Sequence, residues 1–260
     1  MFKKIALIAM IFCSLTILKT TEVLCQVPTY VHSTEWSACY QNRMAGCTDC
    51  TEQIITAPMI FEDCLCQVTY KVATCNCPEV RTFVEILYIR IESWQIQPCY
   101  DLVQTVHPGF PPALNMENYK WLLYEMYDDI MDQLFMSDAN NYPCPESKRY
   151  FEYLSANCEM MCAFGWANAA GDHYGATFYT QPCIPSGCCT VQKEYCLDEF
   201  GQMREDEFMT GNQVCEGTMQ STPCPQVGDT IIINGIIYPI VWVSSTECRH
   251  TCFPPSRPRN

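Results

Sequence analysis

Cysteine is the residue type that most constrains how this chain can fold. The sequence contains 21 cysteines, of which Cys13 and Cys25 belong to an N-terminal segment that we predict to be removed, leaving 19. In an exported chain, so many cysteines are typical of a disulfide framework. Because 19 is odd, one thiol is free, or it joins two chains, or Cys25 is retained. The predicted disulfide cysteines are Cys39, Cys47, Cys50, Cys64, Cys66, Cys75, Cys77, Cys99, Cys144, Cys158, Cys162, Cys183, Cys188, Cys189, Cys196, Cys215, Cys224, Cys248 and Cys252.

The first 25 residues predict export. Lys3 and Lys4 precede an apolar run, 5–18, which is shorter than the about 20 residues of a membrane-spanning helix. This pattern favours a cleaved signal peptide over the alternatives of a retained anchor helix and a lipid-attached Cys25. No later stretch is long and apolar enough to span a membrane. We therefore expect a secreted protein, extracellular or periplasmic, with no stable membrane span.

The net charge limits the partners that such a protein can bind. The formal charge is −14 at pH 7, which argues against nucleic acid and anionic membrane surfaces. An acidic surface can attract divalent cations or basic partners, but the simpler interpretation is solubility.

The stretch 64–94 predicts the β-hairpin around which the chain is organised. In its first strand, polar and apolar residues alternate with period two, the pattern of a half-buried strand. From Val80 to Ile91, apolar residues occupy odd-numbered and even-numbered positions alike. This predicts a strand that is covered on both sides, or one that changes face at a bulge. The apolar positions of the first strand are Cys64, Cys66, Val68, Tyr70 and Val72.

A cysteine-free stretch in the middle of the chain predicts one long amphipathic helix. Asn115 is expected to cap a helix that begins near Met116. Apolar residues then recur at three- and four-residue spacing, and the acidic residues fall largely elsewhere.

Two more hairpins are predicted after this helix. The first pairs 191–197 with 202–209 across an Asp…Gly type I turn. The second lies within 229–243, where Asn234 and Gly235 favour the mirror-image turn that the twist of paired strands requires.

These patterns predict an α+β fold that is disulfide-rich and strand-dominated, with β-hairpins in two halves flanking one long amphipathic helix. The first half contains eight cysteines and could pair internally, whereas the second contains eleven and is expected to hold the odd thiol. The predicted organisation is a signal peptide at 1–25, a cysteine-rich β region at 26–99, a cysteine-free linker and amphipathic helix at 100–143, a second cysteine-rich β region at 144–252 and a Pro/Arg tail at 253–260.

Two cysteine clusters have a spacing that zinc ligands also use. Past a signal peptide, oxidation competes with metal binding, so we expect disulfides at both clusters, no metal and no cofactor. The clusters are Cys47-x2-Cys50 with Cys75-x-Cys77, and Cys248-x-His250-x-Cys252.

Signals of catalysis are scarce in this sequence. Neither a G-x-S-x-G elbow nor an H-E-x-x-H pair occurs, and there is no phosphate-binding glycine-rich loop. Asp172 and His173 are adjacent in a loop, but neighbouring side chains point apart, so the pair is not a ready-made dyad. We therefore predict no catalytic residues, and an enzyme is the less favoured class.

Aromatic residues are the remaining indication of function. Trp36, Trp94, Trp166 and Trp242, with many tyrosines, could line a carbohydrate or peptide surface or fill a core. The favoured hypothesis is a secreted or surface-associated, non-catalytic binding module whose partner is an unknown protein or carbohydrate surface. The alternatives are a structural component of an extracellular assembly, as a dimer or polymer linked through the odd thiol, and a secreted hydrolase.

Overall fold

A computed structural model describes residues 29–93, 97–107, 114–168, 170–171, 174–184, 186–211, 215–217, 219–220 and 223–252. The predicted signal peptide, Trp94, the Asp172–His173 pair and the 253–260 tail lie outside the described residues. In the described part, the α-helices are α1 (Ala38–Met44), α2 (Cys99–Val106) and α3 (Met116–Met136). The strands are β1 (Thr29–Tyr30), β2 (Thr48–Phe61), β3 (Cys64–Asn76), β4 (Val80–Ile91), β5 (Arg149–Ala156), β6 (Cys158–Ala167), β7 (Tyr174–Ile184), β8 (Cys188–Leu197), β9 (Met203–Gly211), β10 (Met219–Gln220), β11 (Thr230–Ile233), β12 (Ile236–Ser245) and β13 (Arg249–His250).

All of these strands belong to one large mixed sheet. Its main path runs β1-β11-β12-β6-β7-β4-β5-β8-β9, with β3 and then β2 added beside β4, β10 beside β7 and β13 beside β6. The β1–β11 and β4–β5 pairs are parallel, and the other strand pairs are antiparallel. Because β4 pairs with both β5 and β7, strands from the two cysteine-rich regions share one sheet.

The predicted fold class is therefore wrong in its arrangement. In the described part of the chain, the hairpins do not form two halves, and no single long amphipathic helix runs between them. Helix α3 buries the consecutive residues Trp121, Leu122 and Leu123, so it is covered on more than one side and joins the main core against the sheet. The periodicity was visible in the sequence, but the number of covered sides depends on strands that lie far away along the chain.

Nine disulfides confirm the cysteine-rich, disulfide-bonded framework. Every predicted disulfide cysteine except Cys66 is bonded, and Cys66 is a buried free thiol. The expectation that the first half pairs internally and the second holds the odd thiol is wrong, because Cys39 joins Cys188 across the two halves. The bridges are Cys39–Cys188, Cys47–Cys77, Cys50–Cys75, Cys64–Cys99, Cys144–Cys196, Cys158–Cys215, Cys162–Cys224, Cys183–Cys248 and Cys189–Cys252.

Both cysteine clusters with zinc-like spacing are disulfide-bonded in this structure. In the first, Cys47 and Cys50 bond to the two cysteines at the far end of β3. In the second, Cys248 and Cys252 bond to β7 and β8, and His250 between them is exposed. In the described part of the chain, no group of three or more His, Cys, Asp or Glu residues could hold a metal ion.

The local turn and bulge predictions are confirmed. Strands β3–β4, β8–β9 and β11–β12 are antiparallel hairpins, and Asn234 and Gly235 have φ angles of 51° and 79°. In the β3–β4 register, Thr69 faces Tyr88 and the next residue of β3 faces Ile86, so Leu87 is the extra residue of a β-bulge. The bulge lies in β4, the strand in which apolar residues occupy odd-numbered and even-numbered positions alike.

None of the helices in the described residues has the length and apolar character needed to cross a membrane.

Candidate functional site

Strand β4 has two partners along one of its edges and leaves a gap between them. Residues 81–83 pair with β5 and residues 89–91 pair with β7, while β3 occupies the opposite edge. The backbone of 84–88 therefore has no strand partner on the β5/β7 side. The bulge at Leu87 lies inside this stretch, and bulges of this kind often re-aim side chains next to functional sites.

Two tyrosine hydroxyls replace part of the missing strand pairing. The hydroxyl of Tyr40 donates to the carbonyl of Val84 and accepts from Leu154 N at 2.8 Å, which connects β4 to β5. The hydroxyl of Tyr127 on α3 accepts from Ile86 N at 2.9 Å. Buried backbone groups need such partners, so these tyrosines stabilise the split in the sheet.

A cavity of about 550 Å³ opens in the rest of this gap, and we name it the strand-split pocket. Its volume lies within the roughly 300–1,000 Å³ of typical small-molecule sites. Its walls come from residues between 30 and 42, from β4, α3, β5, β6, β7 and the 251–252 segment. Much of its wall is aromatic, formed by Trp36, Tyr119, Tyr124, Tyr127, Tyr153 and Tyr179.

Disulfides anchor the wall of the strand-split pocket. Cys39 and Cys188 both line it and are bonded to each other, so the start of α1 is tied to β8. Cys252 also lines it and is bonded to Cys189. Covalent links between distant segments hold the wall in place without a ligand, which reduces the ordering cost of binding.

The tyrosines of the wall are packed against one another. The rings of Tyr127 and Tyr153 are stacked, with centroids 4.2 Å apart and an interplanar angle of 7°. Tyr124 meets Tyr153 edge-on, with centroids 6.3 Å apart. Rings fixed in this way offer a rigid apolar surface with polar tips.

Glu85 brings a buried carboxylate into the wall of the pocket. It is 9% exposed and accepts hydrogen bonds from Ser37 N at 3.2 and 3.4 Å. Among the described residues, no basic group lies within 4.0 Å of it. Burial raises the pKa of Glu85 to about 7, although Ser37 and Lys71 act in the opposite direction.

Glu159 is the second buried carboxylate of the pocket, but its oxygens already have partners. One oxygen forms an ion pair with Lys120 of α3, and the other accepts from Ala156 N at 3.2 Å. Both charged groups line the cavity. The pair therefore connects the helix to the sheet at the floor of the pocket.

A further polar atom of the pocket wall, Nε2 of His32, has no hydrogen-bond partner among the described residues. The hydroxyl of Tyr179 and the amide of Gln181, also in the wall, lie close enough to each other to interact, and Tyr30 is a second neighbour of that hydroxyl. The ring of His32 stacks on Tyr88 with centroids 3.9 Å apart. Burial, together with the charge of Arg90, lowers the pKa of His32 to about 3, so the imidazole is neutral at physiological pH.

Of the tryptophans considered as a binding surface, Trp36 lies in the pocket wall. Its Nε1 donates to Glu52 at 2.9 Å. The other two that are described serve the packing of the fold: Trp166 contacts Tyr238, and Trp242 contacts the ring of His107. His173 and Trp94 lie outside the described residues.

Sequence reasoning missed the glutamates of the pocket, although one signal for Glu85 was present. Glu85 is the charged residue in the middle of an otherwise apolar strand, Phe83-Val84-Glu85-Ile86-Leu87. A charge at such a position must either be satisfied or serve a function. Glu159 gives a similar but weaker signal beside the apolar run of β6, and nothing in the sequence distinguishes His32.

Comparisons with known proteins identify no relative: no family model, no curated protein and no solved structure matches this chain.

Proposed function

We propose that this protein is a secreted or surface-associated, non-catalytic binding protein that holds a small organic ligand in the strand-split pocket. The observation that carries the proposal is the combination of an aromatic wall with two polar groups that lack their usual partners among the described residues, Nε2 of His32 without a hydrogen bond and the buried carboxylate of Glu85 without a basic group within 4.0 Å. Buried polar groups in folded proteins are nearly always hydrogen-bonded. The polar groups of a ligand would satisfy these atoms while its apolar part contacts the rings.

The disulfides support the proposed location. Nine intramolecular disulfides indicate a protein outside the cytosol, because the cytosol keeps thiols reduced. Together with the predicted signal peptide, they support export. The concave shape of the pocket, which is open to solvent on one side, favours a small molecule, or the end of a larger chain such as a carbohydrate, over a flat protein surface.

The alternative of a disulfide-linked assembly has less support. Cross-linking through the odd thiol requires a reactive, accessible cysteine. Cys66 is buried beside the Cys64–Cys99 bridge, and burial raises the pKa of its thiol to about 12. In the described part of the chain, the one unbonded cysteine is therefore shielded from a second molecule.

The alternative of a hydrolase is also less favoured by the pocket. A glycosidase needs two carboxyl groups that can both reach the substrate. Glu159 is engaged by Lys120 and by Ala156 N, so it is not free to act as a base or a nucleophile. The other carboxyl groups that line the pocket are Glu85, which is buried, and Glu35, which is exposed. A buried carboxylate beside aromatic rings suits the holding of a ligand better than its cleavage.

Filling the mouth of the pocket is expected to abolish ligand binding. Ala38 is exposed at the start of α1 and lines the cavity, so Ala38→Trp places a large side chain in the opening. The measurement is the melting temperature of the wild type and of the variant, each in the presence of one compound at a time from a library of sugars, amines, amino acids and organic acids. A ligand present at a concentration of about 100 times its Kd stabilises the folded state by roughly 2.7 kcal/mol. For a chain of this size, that raises the melting temperature by several degrees.

The matched control is Ala45→Trp, at the exposed C-terminal end of the same helix and away from the pocket. We expect compounds that raise the melting temperature of the wild type and of Ala45→Trp to leave that of Ala38→Trp unchanged. Ligands that stabilise all three proteins equally would place binding elsewhere and contradict the proposal.

A further inference from the structure

We infer that the ligand of the strand-split pocket carries an organic ammonium group, which lies against the carboxylate of Glu85 and the tyrosine rings beside it. This inference rests on the proposed function, that the pocket binds a small ligand, and it adds the chemical class of that ligand.

The buried glutamates among the described residues differ in whether a basic side chain neutralises their charge. Glu152, fully buried, is held by two arginines, and Glu159, 5% exposed, is paired with Lys120. Glu85 is similarly buried but has no basic group within 4.0 Å in the described part of the chain. A buried carboxylate is costly without a positive partner. Glu85 and Glu159 both line the cavity, but Glu159 already has Lys120 as its partner, whereas the cavity beside Glu85 is large enough for a ligand to supply the missing cation.

The nearest fixed cation does not fill this role. Lys71 faces Glu85 in the β3–β4 register, but its Nζ lies 4.5 Å from the ring centroid of Trp36 and forms no ion pair with Glu85. The ammonium group of Lys71 therefore interacts with the tryptophan ring and acts on Glu85 only as a charge beyond ion-pair distance.

The charges around the pocket are predominantly negative. The titratable groups around Glu85 are Glu35, Glu52, Glu159, Lys71, Lys120, Tyr40 and Tyr127. Burial raises the pKa values of both tyrosines, so they are neutral at physiological pH. The carboxyl groups, Glu85 included, thus outnumber the two lysines. The net charge of −14 also steers cations rather than anions towards the molecule.

The wall of the pocket suits an organic cation better than a metal ion. Tyrosine and tryptophan faces attract ammonium groups through the ring quadrupole. The stacked Tyr127–Tyr153 pair forms such a wall beside Glu85, and the ring of Tyr124 next to it already holds the ammonium group of Lys193, 5.4 Å from its centroid. No metal-binding group of residues occurs in the part of the chain that the structure describes. A cavity of about 550 Å³ also exceeds what a bare ion requires.

The test compares cations with neutral molecules of the same shape. The probe pairs are choline with 3,3-dimethylbutan-1-ol, and tyramine with 4-ethylphenol, titrated calorimetrically into the full protein at pH 8. We expect the cation of at least one pair to bind at least about tenfold more tightly than its neutral partner. Its affinity should be about tenfold weaker at pH 6, because protons compete for Glu85, whose pKa is about 7.

A matched pair of variants assigns the effect to the pocket. Glu85→Gln is expected to remove the preference for the cation, while Glu92→Gln, half-buried just beyond the same strand, should retain it. Equal binding of both members of each pair, binding of neither, or an unchanged preference in Glu85→Gln would overturn the inference. If neutral ligands bind instead and Ala38→Trp blocks them, the proposed function stands and only the cationic class is wrong.

Discussion

Replacing Glu152 with glutamine is expected to lower the free energy of unfolding by about 3–5 kcal/mol at pH 7.5. Glu152 is fully buried in β5 and accepts from Arg43 Nε at 2.7 Å and Arg43 Nη2 at 2.8 Å, and it is also paired with Arg81. A neutral amide would leave both guanidinium groups without their buried counter-charge. Arg81 would be affected most, because its side chain is only 15% exposed. Urea denaturation with the disulfides intact measures the loss.

The control for this substitution is Glu79→Gln. Glu79 is an exposed partner of the same Arg81, at 3.0 Å. Exposed ion pairs contribute little, so this change is expected to stay within about 0.5 kcal/mol of the wild type. If Glu152→Gln also fell within that range, the arginines would be adequately solvated and the link between α1, β4 and β5 would not be structurally important.

The same substitution at Glu85 is expected to have the opposite sign. Glu85→Gln should raise the free energy of unfolding at pH 8 by up to about 3 kcal/mol and leave it nearly unchanged at pH 4. Burial raises the pKa of Glu85 from 4.5 to about 7 in the folded protein, so the folded state holds this proton more tightly than the unfolded state. Between these two values, stability falls as the pH rises. Above about pH 7 the buried charge has its full cost, which a neutral amide avoids.

The measurement is a series of urea denaturations at pH 4, 5, 6, 7 and 8 on the wild type and Glu85→Gln without ligand. The difference in unfolding free energy should grow from near zero at pH 4 to its maximum at pH 8. Glu92→Gln, whose side chain is 46% exposed, should show no such trend. A difference that does not vary with pH, or a Glu85→Gln protein that is less stable at pH 8, would show that the carboxylate is already compensated.

Features that depend on neighbouring residues could be predicted from the sequence. The Asn234-Gly235 turn follows from two residues that tolerate positive φ, and both adopt it. The apolar residues at odd and even positions of β4 left two alternatives, cover on both sides or a bulge, and the structure has the bulge. The disulfide framework follows from the number of cysteines in a chain with a predicted export signal.

Features that depend on distant pairing could not be predicted in the same way. The sequence near β4 does not reveal that β5 and β7 share one of its edges, so neither the single sheet nor the pocket between them was predicted. The sequence also does not show which cysteines pair with each other, and for this reason the free thiol was expected in the wrong half. Glu85 could have been singled out as a charge in an apolar strand, but its neighbours Ser37 and Tyr127 come from distant segments.

The central claim is that the split between β5 and β7 holds a buried, unpaired carboxylate in the wall of a ligand pocket. The most direct test is a ¹³C NMR titration of the glutamate side-chain carboxyl groups, with the signal of Glu85 assigned by its loss in Glu85→Gln. We predict an apparent pKa of about 7 for Glu85 in the ligand-free protein. A pKa at or below the ordinary value of 4.5 would show an exposed or paired carboxylate and contradict the account.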